Sequence, residues 1–266
     1  MTIRRSKYSL ISATISVVSG RLLDQKFDNG YRLKAAKKVP LMKFAYGKEI
    51  PTSLEELVDP RKSALVIIDV QNDYAKEKGR LLFPEMIQNL KEIINEARRI
   101  GVLVIYIQDT LLPARFSDSP AWVRHYMIPE KTSDPEAIGT DALDESKGHQ
   151  VVDEIKPLPH ELIIKKYRSS AFVGTSLDLL LRSNGIRNFI ATGLVTQGCV
   201  ESTCRDASNE YFVVVLRDCV ESNRKELHEA NLKIMECRYD VVTSRQVLDI
   251  WKKFHSTRET IAVGTN

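Results

Sequence analysis

The sequence lacks the short motifs by which most nucleotide-binding and metal-binding proteins are recognised. No GxGxxG follows its first predicted strand and no GxxxxGK[ST] occurs, so the phosphate-binding loops of dinucleotide-binding and P-loop proteins are absent. Its four cysteines form no CxxC pair, which argues against a zinc ribbon and against a thioredoxin-type redox site. The sequence therefore gives little support to a dinucleotide-binding, P-loop, zinc-ribbon or thioredoxin-type protein.

Long apolar runs and clusters of basic residues are also missing. No apolar run approaches the roughly 20 residues that a membrane-spanning helix needs, so we expect no membrane partner. The 39 basic and 35 acidic residues are interleaved, without the Lys/Arg clusters of nucleic-acid-binding proteins, so we expect no nucleic-acid partner. The cysteines all lie in the last third of the chain, unlike those of small secreted disulfide scaffolds, which predicts reduced thiols and a cytoplasmic protein.

The amino terminus allows two interpretations. Residues 1–23 contain four basic residues, five serines and no acidic residue, a composition typical of a targeting segment. However, the apolar residues between positions 8 and 18 alternate with Ser and Thr, which suits an edge strand or an ordered arm equally well. Both interpretations stay open.

The following segment is polar and interrupted by prolines. We interpret residues 1–60 as an amino-terminal extension or arm, and residues 61–266 as one domain. Within the arm, residues 53–58 have a capping pattern that predicts one short helix.

The rest of the chain alternates apolar runs with helical patterns. Continuous apolar runs are typical of central parallel strands that are buried on both faces. The predicted strands cover residues 64–69, 102–107, 162–164, 188–192, 212–216 and 240–243. The predicted helices between them cover residues 86–100, 176–184, 200–209 and 225–238. This alternation predicts an α/β fold with right-handed crossovers and a six-stranded parallel sheet.

Residues 110–150 are the least regular part of the domain. They contain four prolines, together with Trp122, His125 and Tyr126. A long insertion after a strand commonly covers a substrate, and that is the role we predict for it.

Residues with catalytic chemistry follow three of the apolar runs. Asp69 ends the first run, Lys166 ends the third, and Cys199 lies beyond the fourth, at the predicted start of a helix. Because parallel strands bring their carboxyl ends to one edge of a sheet, these side chains can meet in one cleft. Asp69 can then accept the thiol proton as a general base, and Lys166 is expected to lower the Cys199 pKa. The pattern predicts a covalent acyl- or carbamoyl-enzyme that water cleaves.

Each residue taken alone has a simpler explanation. A buried cysteine is usually inert, a lysine at a strand end can be a solvated charge, and an aspartate can cap a turn. Asp109, which follows the second strand, is not followed by a DxH pattern, so no metal site is predicted there.

Three segments together carry a family resemblance. Residues 64–73 read ALVIIDVQND, residues 163–175 read IIKKYRSSAFVGT, and residues 193–203 read GLVTQGCVEST. In this order, over roughly residues 60–245, the chain resembles the isochorismatase-like cysteine hydrolases. This superfamily includes nicotinamidases, N-carbamoylsarcosine amidases, biuret hydrolases and ureidoacrylate amidohydrolases.

The resemblance implies a Rossmann-like three-layer sandwich with an Asp69–Lys166–Cys199 catalytic triad. It selects Lys166 rather than the adjacent Lys165, because Lys166 stands six residues before Phe172.

The resemblance also implies the backbone around the nucleophile. A cis peptide bond is expected between Leu194 and Val195, and the backbone N–H groups of Val195 and Cys199 are expected to form the oxyanion hole.

Departures from the family pattern reduce the number of family activities that we expect for this chain. Residues 109–113, directly after the second strand, contain no histidine, which argues against a nicotinamidase and a bound zinc, so no cofactor is expected. Cys199 favours cleavage of a C–N bond in a small linear amide or ureide. The alternatives are a catalytically idle binding or assembly protein on the same fold, and an isochorismatase-type vinyl-ether hydrolase.

The resemblance also implies a homo-oligomer, either a dimer or a tetramer.

Five residues are candidates for contact with a substrate. Arg168 is a candidate for binding a substrate carboxylate, and a surface charge is the equally weighted alternative. The other four are Gln71, Tyr74, Trp122 and Gln197.

Overall fold

The structure, a computed structural model, describes residues 43–263, with side chains as far as Phe254. The predicted targeting segment and the arm up to residue 42 lie outside the described residues. The described part of the arm begins with a hairpin, β1 (Lys43–Ala45) and β2 (Lys48–Ile50), which the sequence did not predict. The predicted helix over 53–58 is confirmed as α1 (Leu54–Leu57).

In the rest of the described chain strands and helices alternate, except for one short hairpin of two neighbouring strands. The strands are β3 (Ser63–Ile68), β4 (Lys76–Glu77), β5 (Arg80–Leu81), β6 (Leu103–Asp109), β7 (Leu162–Lys166), β8 (Asn188–Leu194), β9 (Phe212–Glu221) and β10 (Asp240–Val242). The helices are α2 (Asn72–Ala75), α3 (Pro84–Ile100), α4 (Pro120–Glu130), α5 (Leu177–Ser183), α6 (Glu201–Ala207), α7 (Lys225–Glu236) and α8 (Ser244–Val263). Among the helices of this part of the chain, none is long and apolar enough to cross a membrane.

The six-stranded parallel sheet is confirmed. Its strand order is β10-β9-β8-β3-β6-β7, and every neighbouring pair runs parallel. Strand β3 is central and entirely buried, which accounts for its continuous apolar sequence. The carboxyl ends of β3, β6, β7 and β8 therefore meet at one edge of the sheet.

Two apolar layers cover the sheet, one on each face. On one face Leu65 and Ile67 of β3 pack with α3 and α8. On the other face the alternate residues Val66 and Ile68 pack with α5, α6 and α7. This alternation follows from the two-residue period of a strand and produces the predicted three-layer sandwich.

Several predicted boundaries were wrong. Strands β8 and β9 extend beyond their predicted ends at 192 and 216, and the one-turn helix α2 directly after β3 was not predicted. Helix α4 lies within the insertion and escaped prediction because it buries no residue and so has no apolar stripe. The predicted helix over 200–209 is preceded by one π-helical turn, Thr196–Val200.

Close contact between β3 and β8 requires glycine at position 193. Gly193 has a φ of +112°, and a Cβ atom there would lie 2.0 Å from the carbonyl oxygen of Ile68. We expect Gly193→Ala to lower the free energy of unfolding by about 3 kcal/mol or more, because left-handed strain adds to a backbone clash. Urea unfolding followed by circular dichroism measures this change.

Gly79 provides the matched control. Its φ is +79°, but a Cβ atom there would have no atom within 4 Å. Gly79→Ala should therefore lower stability by only about 1–2 kcal/mol. Equal losses in the two variants would show that strain, and not the contact with β3, makes glycine necessary at position 193.

Candidate active site

The three predicted catalytic residues converge at the carboxyl edge of the sheet. Asp69 follows β3 directly, Lys166 is the last residue of β7, and Cys199 lies in the π-helical turn after β8. Asp69 has a φ of +53°, a left-handed conformation that aspartate adopts more readily than most residues. The side chains meet although they are far apart in the sequence, because the strands that carry them are parallel.

Lys166 is at the centre of the cluster. Its Nζ atom lies 2.9 Å from Asp69 Oδ2 and 3.2 Å from Cys199 Sγ. The Lys166 side chain is completely buried, and Asp69 is 2% exposed. The neighbouring Lys165 points away and pairs with Asp144 at 2.6 Å on an exposed surface. The geometry therefore agrees with the choice of Lys166.

The backbone before Cys199 is tightly turned. The peptide bond between Leu194 and Val195 is cis, and Gly198 within the π-helical turn has φ −115° and ψ −105°. Thr196 Oγ1 lies 2.8 Å from Nδ1 of His228, a buried residue of α7. This contact fixes the turn that carries Cys199, and no motif in the sequence pointed to His228.

Burial sets the protonation states of the cluster. The pKa of Cys199 is raised well above its usual value, because removal from water outweighs the favourable Lys166 charge. The Lys166 charge acts to lower the Cys199 pKa, as expected, but it does not outweigh burial. The pKa of Lys166 is raised, since neighbouring negative groups outweigh its own loss of hydration.

Asp69 has the pKa of a base that works near neutral pH. Burial raises the pKa of Asp69 from 3.8 to about 6, although the charge of Lys166 opposes this shift. At neutral pH the cluster thus contains a thiol, an ammonium group and a carboxylate. In this arrangement the Asp69 carboxylate is able to accept a proton from the thiol.

Asp109 is a member of the cluster that sequence reasoning missed. It ends β6 beside Lys166 of β7, and its Oδ1 atom lies 3.0 Å from Lys166 Nζ. Its Oδ2 atom accepts a hydrogen bond from the hydroxyl of Tyr74 at 2.8 Å. The sequence contained a signal, because Asp109 stands at the carboxyl end of a strand as Asp69 does.

Gln71 does not line the cavity as predicted. It is fully buried, and its Nε2 donates to the carbonyl oxygens of Asp109 and His149, both at 2.9 Å. Its Oε1 accepts from the Asp109 backbone N–H at 2.8 Å. Gln71 therefore holds the β6 backbone in place and offers no exposed atom to a substrate.

A cavity of about 210 Å³ opens onto the cluster. Tyr74 and Trp122 contribute to its wall, in agreement with their placement in the prediction. The other lining residues are Asp69, Asp109, His125, Tyr126, Ser169, Leu194, Val195, Gly198 and Cys199. Helix α4 supplies three of these side chains, so the insertion covers the cluster as expected.

Arg168 and Gln197 lie outside this wall. Arg168 donates to the carbonyl oxygens of Tyr167 and Ser117, and its guanidinium group stacks on Trp122 at 5.2 Å. Gln197 donates from Nε2 to Ser222 at 3.0 Å. Arg168 thus packs against Trp122 of the wall, whereas Gln197 bonds to a residue outside it. Their contact with a substrate remains a prediction, and neither side chain lines this cavity.

A metal site is not apparent in the described part of the chain. Within residues 43–254, no three His, Cys, Asp or Glu side chains are arranged to hold a metal ion. The sequence-based expectation that the site works without a metal remains a prediction.

Known proteins share both the sequence pattern and the fold. The isochorismatase domain matches residues 63–247. The ureidoacrylate amidohydrolase RutB of Enterobacter sp. (strain 638) is 38% identical over 172 residues, covering 60% of this chain and 75% of that protein. An isochorismatase-like hydrolase structure from Alkaliphilus metalliredigens is 29% identical, with a TM-score of 0.57 over 71% of this chain and 99% of that one. The structure of N-carbamoylsarcosine amidase from Thermoplasma acidophilum is 28% identical, with a TM-score of 0.55 over 69% of this chain and 96% of that one.

Proposed function

Because this chain belongs to the isochorismatase family, we propose that it is a cysteine-dependent amidohydrolase of small linear amides or ureides. The observation that carries the proposal is the buried contact of Lys166 Nζ with both Asp69 and Cys199 at the base of a cavity. The relative that is named a ureidoacrylate amidohydrolase supports a ureide as the substrate class. Together these three side chains can form a covalent bond to a carbonyl carbon and release the nitrogen attached to it.

The first half-reaction forms a covalent intermediate. Asp69 accepts the proton of the Cys199 thiol while Sγ forms a bond to the carbonyl carbon of the substrate. The carbonyl π electrons move to oxygen, and the backbone N–H groups of Val195 and Cys199 hold the resulting oxyanion. The C–N bond then breaks as Asp69 returns the proton to the departing nitrogen. A thioester, either acyl or carbamoyl, remains on Cys199.

Water completes the cycle. Asp69 accepts one proton from water, and the hydroxide adds to the thioester carbon. The C–S bond breaks, and the proton on Asp69 returns to the sulfur, so the thiol is restored. Lys166 retains its ammonium charge through both half-reactions and stabilises each anion that forms beside it.

The shape of the cavity favours a small and flat substrate. Its volume of about 210 Å³ is below the range of about 300–1,000 Å³ of pockets for drug-sized ligands. Tyr74, Trp122 and Tyr126 provide aromatic surfaces on which a planar amide or ureide group can lie. These features support a linear ureide of few atoms.

A substrate panel tests the proposal. The protein is incubated with N-carbamoyl amino acids, biuret, ureidoacrylate and simple carboxamides, and ammonia is measured, since a released carbamate also decomposes to ammonia. A Cys199→Ala preparation purified in parallel subtracts any contaminating hydrolase. Saturable ammonia release from one class is expected. Absence of ammonia release from the whole panel would contradict the proposal, and hydrolysis of a vinyl ether alone would favour the isochorismatase-type reaction.

The proposed base predicts a pH dependence. Asp69 must be a carboxylate to accept the thiol proton, and its raised pKa of about 6 means that it becomes protonated below that pH. We therefore expect kcat/KM to fall tenfold per pH unit below about 6 and to be level from pH 7 to 9. The alkaline side is level because the pKa values of Cys199 and Lys166 both lie above their usual ranges. Initial rates with an uncharged substrate between pH 4.5 and 9 measure the profile, and a constant rate down to pH 4.5 would exclude Asp69 as the base.

A further inference from the structure

The Lys166 ammonium group has a third partner that the proposed chemistry does not use. Three groups surround Lys166 Nζ. It donates hydrogen bonds to Asp109 Oδ1 at 3.0 Å and to Cys199 Sγ at 3.2 Å, and it forms an ion pair with Asp69 Oδ2 at 2.9 Å. Two of these groups change their protonation or bonding during the proposed reaction, whereas Asp109 does not.

Asp109 is held rigidly on both sides. Its backbone N–H donates to Asp69 Oδ1 at 2.9 Å and to Gln71 Oε1 at 2.8 Å. Its carbonyl oxygen accepts from Gln71, and its Oδ2 accepts from Tyr74. A carboxylate fixed by this many hydrogen bonds can determine where the ammonium group of Lys166 lies.

The need for such a group follows from the movement of the proton. When Asp69 accepts the thiol proton it becomes neutral, and Lys166 then loses the charge of its nearest carboxylate. A buried ammonium without a fixed counter-charge would move toward the remaining anion or toward water. We propose that Asp109 is a positioning residue, whose carboxylate holds the Lys166 ammonium group in place while Asp69 accepts and returns the thiol proton.

The charge of Asp109 also acts on Asp69. Burial is the main reason that the pKa of Asp69 is raised. The positive charge of Lys166 opposes this rise, and the negative charge of Asp109 adds to it. The other titratable groups that line the cavity beside the cluster are Tyr74 of α2 and His125 and Tyr126 of α4. His149, whose carbonyl oxygen accepts from Gln71, is also within reach of the Asp109 charge: burial lowers the pKa of His149, and Asp109 acts against that shift. Removing the charge of Asp109 should therefore make Asp69 a weaker base.

Asp109→Asn tests the proposal, which rests on the proposed function for its turnover measurements. Asparagine keeps an acceptor for Lys166 and removes the charge. We expect kcat to fall about tenfold or more, KM to change less than about twofold, and the acidic limb of the rate profile to move down by about one pH unit. The rate of Cys199 alkylation by iodoacetamide, followed by mass spectrometry across the same pH range, should show the same shift without any substrate.

Substrate turnover and Cys199 alkylation test the proposed function and the role of Asp109 separately. A wild-type protein that hydrolyses nothing contradicts the proposed function, yet the alkylation profile still tests Asp109. If the acidic limb of the Asp109→Asn profile is unchanged, the positioning role is overturned. A raised KM would then indicate that Asp109 contacts the substrate, and a lower melting temperature alone would indicate a structural role.

Two further variants complete the experiment. Asp144→Asn removes the carboxylate that pairs with exposed Lys165, one residue from Lys166, and should leave both profiles unchanged. A shift in this control as large as in Asp109→Asn would overturn the proposal.

If Asp109→Asn does not fold, Asp109→Glu can be measured instead, because it keeps the negative charge and displaces it. A lower kcat with an acidic limb still near pH 6 supports the positioning role. An unchanged kcat overturns it.

Discussion

Replacing Cys199 with alanine is expected to reduce amide or ureide hydrolysis by about 10⁴-fold or more. Alanine has no atom that can bond to the carbonyl carbon, so the covalent intermediate cannot form. The cavity, Asp69 and Lys166 remain, and they allow at most a slow direct attack by water. The measurement is kcat/KM for the best substrate of the panel, together with mass spectrometry of acid-quenched reactions. The wild-type protein should carry the acyl or carbamoyl mass on the peptide that contains Cys199.

Cys237→Ala is the matched control for this prediction. Cys237 is an exposed thiol on the carboxyl side of α7, whereas Cys204 and Cys219 are completely buried in the core. Its loss should leave kcat/KM within about twofold of the wild-type value, as expected for a surface substitution. Full activity of Cys199→Ala would refute covalent catalysis by this residue, and an adduct on another cysteine would reassign the nucleophile.

Replacing Lys166 with methionine is expected to have the next largest effect, a loss of about 10³-fold in kcat/KM. Methionine has a similar length and fills the buried space without the charge. Lys166 opposes the rise in the Asp69 pKa caused by burial, so its loss leaves two carboxyl groups, Asp69 and Asp109, without a counter-charge. Asp69 should then be protonated at neutral pH, and the acidic limb of the rate profile should move to a higher pH.

Lys165→Met tests whether activity depends on Lys166 itself or on any positive charge near the cluster. Lys165 is 42% exposed and pairs with Asp144 outside the cavity. We expect its replacement to change kcat/KM less than twofold and to leave the acidic limb near pH 6. A larger loss of activity in Lys165→Met than in Lys166→Met would contradict the assignment of the catalytic lysine.

The meeting of Asp69, Lys166 and Cys199 was predictable because their residue types and their positions along the strands are both local properties of the sequence. An apolar run that ends in Asp69, and another that ends in Lys166, indicate the carboxyl edge of a parallel sheet before any contact is known. The central strand β3 was also predictable, since burial on both faces requires a continuous apolar sequence.

Other features could not be predicted, because they depend on which surfaces meet. Gln71 follows the same strand as Asp69 and was predicted to contact a substrate, but it bonds to the backbone of Asp109 instead. Arg168 was a candidate for a substrate carboxylate, but it stacks on Trp122 of α4, a helix that has no apolar stripe to reveal it.

The sequence by itself determined the family, the α/β fold, and which three residue types meet at one edge of the sheet. Only the tertiary structure decided their protonation and the fourth member of the cluster. The physical reason is that a pKa depends on the water and charges that surround a group in space. Burial keeps Cys199 a thiol and brings Asp69 to a pKa of about 6, while the pairing of β6 with β7 places Asp109 beside Lys166.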